Sequence, residues 1–98
     1  MGTQQSRLVE QYYRKALNLI DAAHAAACHK FREWPDNPYI GHVILSEEVG
    51  EAAKALIDRE FKGASIDDAI TEYAQAGAMC MRQLQRLLLI KEPQTNDD

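Results

Sequence analysis

The chain has 98 residues and a mass of 11.1 kDa, enough for one small domain. Hydrophobic residues make up 46% and charged residues 27%, a globular composition that excludes wholesale disorder. A net charge of −4 with scattered Lys and Arg gives no basic stripe for a nucleic-acid backbone. No apolar run reaches the roughly 18 residues of a membrane span.

The opening segment, MGTQQSRLVEQYYRK, has neither an apolar signal core nor a small-residue cleavage site. Without an export signal, Cys28 and Cys80 read as reduced thiols of a cytoplasmic protein. Five glycines and three prolines are few for a strand-and-turn architecture, so the expected fold is all-α.

In chain order, the spacing predicts a first helix over about Gln4–Phe31, with Leu8, Tyr12, Ala16, Leu19, Ala23, Ala27 and Phe31 on one stripe. Trp34-Pro35-Asp36-Asn37-Pro38 breaks it, because each proline biases its predecessor away from the α region. A second helix fits about Ile40–Arg59, with Leu45, Val49, Ala53 and Leu56 as its main apolar arc and Gly63 as its stop. The third helix is predicted to start at Ser65, whose hydroxyl caps the first amides, with Asp67 and Asp68 at the positive end of the dipole. Its apolar face is Ile66, Ile70, Tyr73, Gly77, Cys80, Leu84 and Leu87, and it ends near Ile90–Lys91. Residues 1–92 thus form a single helical domain and residues 93–98 a disordered polar tail. The run Leu87–Ile90 points around most of a turn, which favours self-association over a monomeric three-helix bundle.

The chemistry concentrates in Ser46-Glu47-Glu48-Val49-Gly50-Glu51. At about 100° per residue, Glu48 and Glu51 are neighbours one turn apart. Ile44, Ala52 and Ala55 flank Glu48, so it belongs at the margin of the buried face, while Glu47 and Lys54 lie further toward water. On the third helix Glu72 sits among Asp68, Gln75, Ala76 and Met79, near Arg82. An antiparallel pairing of these helices brings Glu48 and Glu51 toward Glu72 and Gln75. Such an oxygen cluster suits a hard divalent cation, although E-x-x-E on a helix is also a common structural pattern.

The segment Gly41–Leu84, GHVILSEEVGEAAKALIDREFKGASIDDAITEYAQAGAMCMRQL, resembles the MazG-type all-α nucleoside triphosphate pyrophosphohydrolases. That superfamily is built around an E-E-x-x-E helix, a short linker and an E-x-x-D helix. Glu47, Glu48 and Glu51 match the first motif. Glu72 matches the second, with Gln75 where the family has aspartate. The resemblance implies a MazG-like helical bundle completed by oligomerisation, as a homo-dimer or homo-tetramer. It implies Mg²⁺ held by Glu48, Glu51, Glu72 and Gln75, and cleavage of a nucleoside triphosphate between the α and β phosphates to monophosphate and pyrophosphate. Glu47 and Glu48 are then the catalytic acids, Glu47 as a further ligand or as the group that orients water.

The residues offered to the substrate are Trp34, His42, Lys54 and Arg82. Trp34 presents a face for a base or for packing in its corner, and His42 either meets a phosphate or only occupies a first helical turn. His24 and Cys28 are four apart, half of a metal site with no second pair to complete it. Gln75 removes a charge from the cluster, so the alternative is a catalytically weak or inactive MazG-fold module for nucleotide binding or assembly.

Overall fold

The computed structural model describes residues 3–92, and the polar tail expected over 93–98 lies outside them. Among the described residues there are three helices and no strand: α1 (Thr3–Lys30), α2 (Pro38–Lys62) and α3 (Ile66–Lys91). None of the helices is long and apolar enough to cross a membrane.

Helix α2 is longer at both ends than its apolar spacing predicts, for reasons of capping. Asn37 Oδ1 accepts a 2.8 Å hydrogen bond from the Tyr39 amide, and Pro38 occupies the first turn, where a missing N–H costs nothing. At the other end Gly63 adopts φ 70°, the left-handed conformation that ends a helix, and its amide bonds back to the Asp58 carbonyl. Ser65 caps α3 as expected, its Oγ accepting from the Asp67 amide at 3.0 Å.

Helix α3 is the middle of a single layer, with α1 and α2 on either side of it and no contact between those two among the described residues. Gln83 bonds the Pro38 carbonyl while Glu48 lies by Glu72, so α2 and α3 are antiparallel. A Cβ at Gly77 would lie 2.9 Å from Ile20, and His24 reaches Gln85, so α1 and α3 run the same way. The layer measures 58 × 38 × 21 Å.

The seam of this layer is made of small residues. Among the described residues Ala52, Ala69, Ala76 and Ala78 are the buried apolar ones, and no large side chain is fully buried. This corrects the expected packing. The face of α2 toward α3 is centred on the buried Gly41 and Ala52, with Glu48 half-buried at its margin, where it lines the cleft. Val49, Ala53 and Leu56 of the predicted apolar arc are exposed, as are Ile66, Ile70, Tyr73, Cys80, Leu84 and Leu87 of the predicted face of α3. The reason is steric: alanine and glycine let two backbones approach closely, and that contact wins the seam. Along α1, every residue from 5 to 19 is exposed, and packing on α3 begins only at Ile20.

The segment between α1 and α2 is strapped to α3 by side chains. Arg82 Nη2 donates to the Phe31 carbonyl at 2.7 Å, and Trp34 Nε1 donates to Gln83 Oε1 at 3.0 Å. Gln83 Nε2 donates to the Pro38 carbonyl at 2.8 Å, and Arg86 pairs with Asp36 at 3.1 Å. These bonds answer the free backbone groups of a corner that contains two prolines.

Candidate metal centre and cleft

Two turns of α2 and one residue of α3 assemble the acidic centre. Glu48, Glu51 and Glu72 each offer a carboxylate oxygen within 4.8 Å of the others. They meet because Ala52, Ala69 and Ala76 hold the two helices close on either side of them. Glu48 Oε2 and Glu72 Oε2 are both buried and without a hydrogen-bond partner. An unsatisfied buried carboxylate oxygen is costly, and two facing each other are more so. Burial, followed by the charges of Glu51, Glu72 and Glu47, holds the Glu48 carboxyl above the ordinary glutamate range.

Beside the acids lies a half-open cleft of about 780 Å³ between α1 and α2, floored by α3. Its walls are Ala23, Ala26, Ala27, Lys30 and Phe31 from α1 and its end, then Glu33, Trp34, Pro35 and Asp36 from the corner. Ile44 and Glu48 come from α2, and Gln75, Met79 and Arg82 from α3. Arg82 is only 5% exposed and sits with its guanidinium 5.2 Å from the Trp34 ring centre, a cation–π stack. It has no carboxylate partner among the described residues, so its charge is answered by the Phe31 carbonyl and the Trp34 face alone.

The structure thus brings Glu48, Glu51 and Glu72 into one cluster and places Gln75, Trp34 and Arg82 on the adjoining cleft. Glu47 is exposed and outside the cluster, though its charge reaches Glu48. His42 is exposed on the other flank of α2 and does not line the cleft. Lys54 is also away from it, exposed and paired with Asp58 at 3.0 Å, which holds the Asp58 carboxyl below the usual range. Helical spacing decides His42, about 120° from Glu48 on the side away from Glu51, whereas Lys54 lies only about 60° past Glu51 and is held off by its pairing with Asp58.

Sequence reasoning missed Lys30, Phe31, Glu33 and Asp36, which reach the cleft only because the strapped corner folds over α3. Their signal was the density of polar and aromatic residues around the two prolines. His24 Nε2 bonds Gln85 Oε1 at 2.8 Å with Cys28 Sγ 3.6 Å from the same ring nitrogen, a polar contact between α1 and α3. No family model, no curated protein and no solved structure matches this chain.

Proposed function

We propose that this protein is a Mg²⁺-dependent, MazG-like nucleoside triphosphate pyrophosphohydrolase that works as a homo-oligomer and releases monophosphate and pyrophosphate. The observation that supports it best is the pair of buried, unpartnered oxygens of Glu48 and Glu72 beside a cleft of nucleotide size. Oxygen donors without hydrogen bonds, crowded by like charge, fit a hard divalent cation. Glu48, Glu51 and Glu72 would hold it, with the Gln75 carbonyl offered from the cleft wall. A bound Mg²⁺ supplies charge neutralisation on the phosphate oxygens and acidifies coordinated water.

The chain's own residues do the rest. Arg82 and Lys30 bring positive charge to the cleft opposite Glu48, suited to an anionic ligand. Phe31, Trp34 and Met79 offer an apolar surface to the organic part of the ligand. Glu47, exposed and next to Glu48 in sequence, would accept a proton from water at the edge of the cluster.

Gln75 favours one rival: a module of the same architecture that binds nucleotide without turnover, since the neutral amide leaves the cluster one charge short. A panel of nucleoside triphosphates with Mg²⁺, scored for pyrophosphate against orthophosphate, separates the readings. Pyrophosphate release, abolished by Glu48→Gln, supports the enzyme. Orthophosphate contradicts the cleavage position, and binding without product supports the rival.

A further inference from the structure

Beside the strapped corner lies a second pocket, of about 490 Å³, that the chemistry of the acidic cluster does not use. Cys28, half-buried on α1, lines it together with Arg32, Arg82 and Arg86. Two acids share the lining, but Arg86 engages Asp36 at 3.1 Å and Glu33 is exposed. Arg82 is nine-tenths buried and has no carboxylate partner among the described residues. A buried positive charge at this pocket is thus answered by no acid. The balance of the wall is cationic and suits an anionic ligand.

The thiol also has a base beside it. His24, one turn before Cys28 on α1, donates its Nε2–H to Gln85 Oε1 at 2.8 Å. That bond from α3 fixes the tautomer and leaves the Nδ1 lone pair free, 3.9 Å from Cys28 Sγ. Structural cysteines sit inert in apolar surroundings. A partly exposed thiol beside a histidine and among arginines is instead the setting in which cysteine acts as a nucleophile.

We infer that Cys28 is a modification site for an anionic low-molecular-weight disulfide, which the arginine-lined pocket holds against the thiol. His24 Nδ1 takes the thiol proton as the Cys28 sulfur attacks one sulfur of the incoming disulfide. The S–S bond of the reagent breaks, a Cys28–S–S–R bond forms, and the other half leaves as a thiolate that takes up the proton. The reagent is the oxidant, so the Cys28 sulfur is oxidised and the departing sulfur reduced. A reducing thiol reverses the exchange. Trp34 and Arg82 line both this pocket and the cleft, so an adduct on Cys28 bears on one wall of the cleft. None of this depends on the metal or the chemistry proposed for the acidic cluster.

Glutathione disulfide, an anion, and cystamine, a dication, are the probes, applied to a Cys80→Ser chain in which Cys28 is the one thiol. The ratio of their rates is measured in the folded chain and in the urea-unfolded chain, at neutral pH and equal ionic strength. Folding should raise that ratio in favour of the anion by about tenfold. Trp34 fluorescence should shift on modification and return on reduction. Arg32→Glu, at an exposed position outside the hydrogen bonds of the strap, should abolish or reverse the preference while the chain stays folded. His24→Gln should slow both probes several-fold and keep their ratio. A Cys28 that stays unmodified in the folded chain overturns the inference, as does a ratio that neither folding nor Arg32→Glu changes. Unchanged rates in His24→Gln, or a silent tryptophan, overturn it equally.

Discussion

Glu48 packs into the α2–α3 seam with three other carboxylates acting on it, which makes it the residue whose charge the fold resists most visibly. Its carboxyl titrates above the ordinary range when folded, so the folded state binds its proton more tightly than the unfolded chain does. The penalty is absent at low pH and grows as pH rises above about 4.5. The metal-free protein should therefore lose thermal stability between mildly acidic and neutral pH. Glu48→Gln should flatten that decline and raise the metal-free melting temperature at pH 7, a result that thermal denaturation across pH reads directly. Millimolar Mg²⁺ should stabilise the parent, by about 2.7 kcal/mol at a hundredfold excess over its dissociation constant. Glu51→Gln should lose much of that gain, while Glu60→Gln should keep it. Gln75→Asp, which adds a charge on the cleft wall, should tighten Mg²⁺ on the order of tenfold by calorimetry. No change would mean that position 75 does not face the cation.

At the scale of elements, the corner between α1 and α2 depends on one close approach. A Cβ at Gly41 would run into Gln83 Oε1 and lie 2.8 Å from Trp34 Nε1, the two atoms that hydrogen-bond over it. Gly41→Ala should therefore release the strap and cost about 1–3 kcal/mol. Trp34 is the chain's single tryptophan, so its fluorescence should report the release as a shift toward a water-exposed spectrum. Removing the α3 cap by Ser65→Ala should cost only about 1 kcal/mol and leave that fluorescence alone. Equal spectral shifts from both variants would show that Trp34 responds to general loosening rather than to the strap.

The whole molecule is a layer one helix thick, and its energetics follow from that. Among the described residues four alanines, Gly41 and Arg82 are buried, so apolar burial within one chain is small against the entropy of ordering three helices. Under the proposed homo-oligomer, association supplies part of the stability, and the melting temperature should rise with protein concentration, by several degrees over a hundredfold range. A melting temperature independent of concentration from sub-micromolar upward would place the missing burial elsewhere.

Read from residues alone, the three helices, their breaks at Pro35–Pro38 and Gly63, the Ser65 cap and the acid triad were all legible, because each depends on local rules of capping, turn chemistry and one-turn spacing. Periodicity also found both apolar arcs, but it left open what covers them. Periodicity measures which side of a helix avoids water, not which helix covers it. Tertiary structure decided that alanine and glycine positions close the α2–α3 seam, which left Glu48 half-buried beside the cleft and turned Leu56, Tyr73 and Leu84 outward. It also decided that Lys30 and Phe31 join Trp34 and Arg82 around one cleft, 51 residues separating the Phe31 carbonyl from the guanidinium that binds it. No local signal carries such a contact, because it exists only once the corner has crossed over α3.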